Sequence, residues 1–316
     1  MSKVYLLADV GGTNARFIFI PSQRSPNLRK VLFLKSRSFN NFSSLLKEAL
    51  SYFKLDPKNT IACIALAGPV FNGRAKITNL GWEVDEKEVK KEIGFKKFIM
   101  VNDLYAVSAV LSKLKRNYIK KIKEGRRFKG SRVAIFCGTG LGVGVLVREK
   151  PLTILSTEAG HLSFQPINAL DLEFLEFLKE KKKETSYEEV LSGRGLENIY
   201  EFLHKERLSA SEITEQAKRS VERARQVLKL YFSYLGRFCG ELLLCYLPWH
   251  GIYLGGGVIT ALSDFLSEDQ YKRVFLESFL SSNKLIFLHE GVPVYQIVHP
   301  FPALLGCKAI LESLGL

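Results

Sequence analysis

The stretch VYLLADVGGTNARFIFI, Val4 to Ile20, sets two apolar runs on either side of Asp9, Gly11, Gly12, Thr13 and Asn14. Short apolar runs joined through glycines predict a β-hairpin over Val4–Ala8 and Phe17–Ile20. The familiar glycine-rich phosphate motifs run strand, glycine loop, helix. Here a second strand follows, so neither a P-loop lysine nor a helix dipole is supplied and the turn itself has to hold an anion. Gly11 and Gly12 permit positive φ and close backbone approach, successive N–H groups can form an anion-binding nest, and Thr13 and Asn14 add polar hydrogens. Asp9 is the informative residue. A carboxylate facing a phosphate is repelled unless a cation lies between them, and Mg²⁺ binds through few carboxylates, several waters and phosphate oxygens. Asp9 therefore reads as an Mg²⁺ ligand acting through water; the plainer alternative is an Asx-type turn residue.

The pattern returns. VAIFCGTGLGVGVLV, Val133 to Val147, is again strand, glycine turn (Gly138, Thr139, Gly140), strand, and GIYLGGGVI, Gly251 to Ile259, is strand, Gly255-Gly256-Gly257, helix start. Between them, strands are expected at Lys30–Ser38, Ile61–Leu66, Phe98–Val101 and Val294–Val298. Helices are expected at Ser43–Phe53, Asp85–Ile93, Asp103 to about Leu114, Leu170–Lys182, Ser211–Leu247, Asp264–Leu280 and Pro302–Leu314. The lysine-rich run 115–132 reads as a connector. The class is α/β, with two units that each begin on a glycine-turned hairpin.

The chain has 316 residues, 47% of them hydrophobic and 11% aromatic, enough for about two domains with sizeable cores. No secretory signal is visible, because Asp9 and the glycines break the first apolar run. The most lipid-like stretch, VLKLYFSYLGRFCGELLLCYLPW from Val227, carries Lys229, Arg237 and Glu241, each costly in a bilayer; it reads as a buried helix, with no membrane partner. The five cysteines, Cys63, Cys137, Cys239, Cys245 and Cys307, are scattered and never in a C-x-x-C pair, which argues against a disulfide framework or structural zinc and for a cytoplasmic protein. The net charge of +14 raises nucleic acid as a partner. Neither basic run, KKIKEGRRFKGSR nor KEKKKE, is interleaved with stacking aromatics or joined to a DNA- or RNA-binding signature, so no specific nucleic-acid partner is expected. An anionic small substrate suits a basic surface equally well.

Asn102-Asp103 ends an apolar strand and opens the helix LYAVSAVL, the place where open α/β sheets bind ligands; Asp103 also reads as an ordinary helix cap. Glu158 and His161 are three apart in STEAGHLSF, and His161 lacks the partners a metal site would need.

The run Asp9-Val10-Gly11-Gly12-Thr13-Asn14-Ala15-Arg16 resembles the first phosphate loop of the bacterial glucokinases. Val101-Asn102-Asp103, Gly138-Thr139-Gly140-Leu141-Gly142, Glu158-Ala159-Gly160-His161, Val190-Leu191-Ser192-Gly193-Arg194-Gly195-Leu196 and Leu254-Gly255-Gly256-Gly257 follow in that family's order and approximate spacing. The resemblance implies an actin-like fold of two RNase H-like domains around a cleft, with residues 1–114 plus 302–316 in the small domain and 115–301 in the large one. It implies ATP-dependent phosphorylation of glucose to glucose 6-phosphate, the first step of glycolysis, with Asp103 as general base. Asn102, Asp103, Glu158, His161 and Glu188 would hold the sugar. Ala8, Asp9, Val10, Gly11, Gly12, Thr13 and Asn14, with Gly138, Thr139 and Gly140, would hold the phosphates of ATP, and Gly255, Gly256 and Gly257 would lie against its adenosine. Glu189, beside Glu188, leaves that register open. A kinase for another hexose or amino sugar, or a non-catalytic sugar sensor of the same fold, are the alternatives, and a homodimer is allowed without being required. Phe136 stands where the family usually has glycine, Thr157 and Ala159 flank Glu158 where glycines are usual, and the zinc-binding cysteine cluster of the related repressor/open-reading-frame/kinase sugar kinases is absent.

Overall fold

A computed structural model describes residues 4–21, 30–126, 128–181, 183–281 and 285–316. The chain divides into two compact units: Met1–Lys113 with Arg148–Ser156 and Pro300–Leu316, and Leu114–Val147 with Thr157–His299.

In the first unit, β1 (Val4–Val10) and β2 (Asn14–Pro21) form the opening hairpin, with Asp9 opposite Arg16 and Val10 opposite Ala15. β3 (Leu32–Lys35) pairs with β2, a shorter strand than Lys30–Ser38 because Ser36–Ser38 turns into a 3₁₀ helix. β4 (Thr60–Leu66) pairs parallel with β1 and is buried along its whole length, as a central parallel strand covered on both faces should be. β5 (Val70–Phe71), β6 (Arg74–Ile77) and β7 (Trp82–Asp85) build a small antiparallel sheet that the sequence patterning does not announce. β8 (Lys97–Asn102) returns parallel to β4 and completes the order β3-β2-β1-β4-β8.

The helix Phe42–Phe53 starts on a capping box between Asn41 and Ser44. The helix Glu86–Ile93 starts on Asp85, whose carboxylate accepts from the N–H groups of Lys87 and Glu88, and stops at Gly94 in the left-handed region. The helix Asp103–Val110 is shorter than the apolar pattern to Leu114 suggests. The helix Pro302–Ser313 packs on it so closely that a Cβ at Gly306 would strike the Ala106 backbone. Cys307 Sγ reaches the Ala8 carbonyl at 3.6 Å, which ties that helix to β1 as well.

In the second unit, the lysine-rich run is not a connector throughout. Ile119–Lys123 is β9, antiparallel to β14 (Val294–Ile297) at a sheet edge. Only Ile119 and Ile122 mark it as a strand, and edge strands tolerate lysine because charge there discourages pairing with other chains. Lys123 Nζ donates to the carbonyls of Glu124, Glu290 and Val292, and burial lowers its pKa to about 8. β10 (Arg132–Cys137) and β11 (Leu141–Arg148) form the second glycine hairpin; β12 (Thr153–Thr157), whose residues up to Ser156 belong to the first unit, follows, and β13 (Ile252–Gly255) lies parallel between β10 and β14.

The helix expected at Leu170–Lys182 runs Ala169–Glu180, and Lys182 falls outside the described residues. The expected helix from Ser211 to Leu247 breaks in two, Ala210–Lys218 and Glu222–Tyr246, around Ser220 at φ 65°. The stretch Asp264–Leu280 likewise divides into a 3₁₀ turn, Phe265–Ser267, and the helix Asp269–Phe279. No helix among the described residues is long and apolar enough to cross a membrane.

Two of the charges inside the apolar helix Glu222–Tyr246, Arg237 and Glu241, have partners. Arg237 Nη1 lies 2.6 Å from Asp171 Oδ2, with both side chains buried and the guanidinium over the rings of Phe164 and Tyr234. Glu241 accepts from Tyr187 Oη at 2.5 Å, and burial raises the pKa of its carboxyl. A buried ion that loses its counter-charge is strongly destabilising, whereas losing both is far milder. Arg237→Leu should therefore cost about 3–5 kcal/mol in urea unfolding, and Asp171→Leu/Arg237→Leu should recover most of it; an undiminished penalty in the double variant would show that packing, not charge, dominates there.

Candidate active site

In the first unit the parallel register aligns strand ends. Asp9 lies opposite Ala65 and Leu66 opposite Asn102, so the first glycine turn and Asn102-Asp103 come out on one edge of the sheet. Gly11 N–H closes the turn on the Asn14 carbonyl at 2.9 Å. The buried Ser36 hydroxyl donates to the Gly11 carbonyl at 2.7 Å, and Ser36 N–H to the Thr13 carbonyl, so the end of β3 pins the loop from behind. The Ala67 N–H donates to the Val10 carbonyl, placing the Ala67-Gly68-Pro69 turn beside the loop.

Gly11 and Gly12 do not adopt positive φ; among the glycines of these loops only Gly256 does, at 92°. A Cβ at Gly11 or Gly138 would meet only backbone oxygens, at 3.5 and 3.9 Å, whereas one at Gly12 would crowd Asn79 at 3.1 Å. Glycine at the two open positions leaves the backbone surface bare and is not required there by a left-handed turn.

Asp9 pairs with Arg16, Oδ2 to Nη1 at 2.9 Å. Burial raises the Asp9 pKa, while Arg16 pulls the other way by charge and hydrogen bond. No group of three or more His, Cys, Asp or Glu able to hold a metal occurs among the described residues. A lone carboxylate beside exposed backbone is nevertheless a fitting donor for Mg²⁺, which draws its remaining ligands from water and phosphate.

Asn102, not Asp103, caps the helix: its Oδ1 accepts from Leu104 N–H at 2.9 Å and Tyr105 N–H at 3.1 Å. Its amide donates to the Gly68 carbonyl and to Asp103 Oδ1, both at 3.0 Å. Asp103 Oδ1 also accepts from Leu104 N–H at 2.8 Å. The carboxylate is thus oriented by its neighbour, at a strand's carboxyl end, without being the cap.

In the second unit the remaining motif residues converge. Gly193 N–H donates to the Gly138 carbonyl at 2.8 Å, and Leu141 N–H to Glu188 Oε2 at 2.9 Å. Glu189 instead faces Asn198, whose amide donates to its carbonyl oxygen and carboxylate. Gly160 lies so close to the Leu141 backbone that no side chain fits, which seats the Glu158–His161 turn against the second glycine loop. Thr157 Oγ1 fastens that turn by donating to the Val143 carbonyl and accepting from Ala159 N–H. Glu158 and His161 are both exposed, and His161 Nδ1 is 3.8 Å from Glu184, so this is not a histidine satisfied inside a core. Behind the turn, Phe164, Tyr187 and Phe238 pack ring on ring.

Phe136 pairs in register with Gly255, and its ring occupies the space a Cβ at Gly255 would need, 2.5 Å from Cζ. At Gly256 a Cβ would strike the Cys137 backbone. Phe136 therefore leaves the turn of the second loop in place and sets its own ring against the third. Ser36, which supports the first loop, carries no short-range signal, and Arg194 stands in the sequence only as part of the run Val190–Leu196, with no role read for it.

A family model described as Glucokinase matches residues 6–314. The glucokinase of Colwellia psychrerythraea is 31% identical over 325 residues, covering 98% of this chain and 96% of that one. The crystal structure of a glucokinase from an Antarctic psychrotroph superposes with a TM-score of 0.83 at 27% identity, covering 99% of both chains. A ROK-family glucokinase from Streptomyces griseus, solved with glucose and AMPPNP, shares the fold at a TM-score of 0.66 and 16% identity, covering 97% of this chain and 98% of that one.

Gly255→Ala should destabilise the protein by about 1–3 kcal/mol through overpacking against Phe136, and Phe136→Ala in the same chain should relieve most of that. Thermal melts of the two single variants and the double one test it; additive losses would refute the ring-on-glycine contact.

Proposed function

Because the chain belongs to the glucokinase family, we propose that it transfers the γ-phosphoryl group of ATP to the 6-hydroxyl of glucose, at the entry to glycolysis, with Asp103 as the general base. The observation that carries this reading is the division of labour between Asn102 and Asp103. Asn102 performs the capping, so an acid at position 103 has no structural duty as N-cap, yet its carboxylate is held by the Asn102 amide at a strand's carboxyl end. The AMPPNP and glucose in the Streptomyces griseus structure support the choice of donor and acceptor. The five cysteines are free thiols, in keeping with a cytoplasmic enzyme.

In this reading, Asn102, Glu158, His161 and Glu188 take sugar hydroxyls, and Asp103 accepts the proton of the 6-hydroxyl as it attacks phosphorus. Proton demand comes late in a loose transition state, so an ionised carboxylate is basic enough. The bare backbone of Gly11–Asn14 and Gly138–Gly140 takes phosphate oxygens, and Gly255–Gly257 lies along the adenosine. Asp9 would hold Mg²⁺ through water; when bound, the ion neutralises charge on the polyphosphate. The base and the first loop then belong to residues 1–114 and 302–316, and the second loop and the sugar-binding turn to 115–301.

A coupled assay over a panel of hexoses with ATP and Mg²⁺ tests the assignment. Glucose should give the highest kcat/KM; a higher value for mannose, fructose or N-acetylglucosamine would replace it as the substrate. Asp103→Asn should lower kcat by ~10²–10⁴-fold, the usual range for a general base, while glucose affinity by intrinsic fluorescence changes far less and stability falls by no more than about 1 kcal/mol, the scale of one altered hydrogen bond. Turnover that falls only in step with the melting temperature would make Asp103 structural.

Asp9→Asn should separate function from stability. Because burial raises the pKa of this acid, its ionised form is less stable in the fold than in the unfolded chain. Its ionisation therefore subtracts from stability as pH rises through and above the ordinary carboxylate range. The variant should melt no lower than the parent at neutral pH, yet need more Mg²⁺ for half-maximal rate. In the parent, the Mg²⁺ requirement should climb on acidification. An unchanged Mg²⁺ titration in Asp9→Asn would leave Asp9 as a turn residue only.

A further inference from the structure

We propose that Arg194 is a positioning residue for the second glycine loop, acting through Glu188. Glu188 carries its carboxylate up to Gly140 and Leu141, where Oε2 accepts the Leu141 N–H at 2.9 Å and a Cβ at Gly140 would meet that same oxygen at 2.6 Å. The other oxygen, Oε1, accepts from Arg194 Nη2 at 2.7 Å. Arg194 also donates through Nε to Glu189 at 3.1 Å, so one guanidinium spans two adjacent carboxylates and fixes which of them faces the loop. Gly193, next in the chain, is bonded to the Gly138 carbonyl.

The inference rests on the reading of Gly138–Gly140 as a polyphosphate loop. A carboxylate at such a loop is an electrostatic liability, because it repels the phosphates the loop is built to take. It is also the acceptor that orders the Leu141 amide. Arg194 resolves the conflict. It neutralises Glu188 at contact distance and holds its second oxygen, so the clamp on Leu141 is kept while its charge is cancelled. The Glu188 side chain is 19% exposed and that of Arg194 47%, so the pair is screened only in part. Arg194 does this without touching nucleotide. The first loop carries a corresponding pair, Asp9 with Arg16, but there the carboxylate is the candidate metal ligand.

The test is a double-mutant cycle in steady-state kinetics on the full chain. Arg194→Ala should raise KM for ATP about two- to fivefold, the effect of a partly screened charge, with the melting temperature held within a few degrees. The rise should shrink at high salt, and Arg194→Lys should restore most of the loss. Gln at position 188 can still accept the Leu141 N–H but carries no charge. In the Glu188→Gln background, Arg194→Ala should therefore leave KM for ATP nearly unchanged. An equal rise in both backgrounds would mean that Arg194 contacts the nucleotide directly, and would overturn the positioning role. A parallel fall of kcat, both affinities and melting temperature would reduce Arg194 to a structural residue, and also overturn it. A parent enzyme that turns over glucose with another phosphoryl donor but not with ATP would instead refute the underlying reading, whatever the variants do.

Discussion

Parallel strand register is the constraint on which the rest depends. In the first unit β1, β4 and β8 run in step from Val4, Thr60 and Lys97 to Val10, Leu66 and Asn102. Strands that start together and end together deliver the chain to one edge, and there the glycine turn, the Gly68 turn and Asp103 emerge. A slip of one residue in β8 would exchange its two faces, burying polar positions and lifting Phe98 and Met100 out of the core. β10 and β13 repeat the device, which puts Phe136 against Gly255 and brings the second and third glycine turns side by side. Asp9 and Asn102-Asp103 are far apart in sequence yet emerge together because each lies at the end of its strand.

Hairpins around the glycines and the parallel strands β4, β8, β13 and β14 were legible, because their apolar runs are short and sharply punctuated. Helices read well where caps and periodicity agree, as at Phe42–Phe53, and badly where an apolar pattern runs on past a break: Ser220 in a left-handed conformation divides a stretch whose hydrophobicity never lapses. β9 was hidden because an edge strand needs only Ile122 in the core and can spend its other positions on lysine. The small sheet β5-β6-β7 has strands too short to show alternation. Within the candidate site, loop backbones and their acids were visible from residue type. Their supports were not: Ser36 reaches Gly11 across 25 positions and Glu188 reaches Leu141 across 47, and no local pattern encodes such pairs. Of the two reasons read for Gly11 and Gly12, positive φ does not apply, since among the glycines of these loops only Gly256 adopts it, and open backbone is the one that remains.

Each glycine hairpin carries an acid beside its turn, and on the proposed reading the charge of that acid opposes a phosphate held there. Both Asp9 and Glu188 sit beside an arginine, at 2.9 and 2.7 Å, and guanidinium is suited to that place because its planar fork can satisfy more than one acceptor while remaining charged. The pairs differ in burial and in reach. Arg16 comes from the strand opposite and meets one carboxylate. Arg194 comes from a helix start and bridges two, so a single substitution there disturbs a larger neighbourhood.

The Gly306–Ala106 contact has a consequence for how the protein is made. The helix that carries Asp103 is covered by residues 302–313, and Cys307 meets Ala8 across 299 positions of sequence. During translation the first unit's sheet leaves the ribosome early, but the segment that covers that helix is added only after the whole of the second unit has been synthesised. Until then the parts of that helix and of β1 that residues 302–313 cover lack that cover. The helix bearing the acid therefore reaches its final packing only once residues 302–313 have been made.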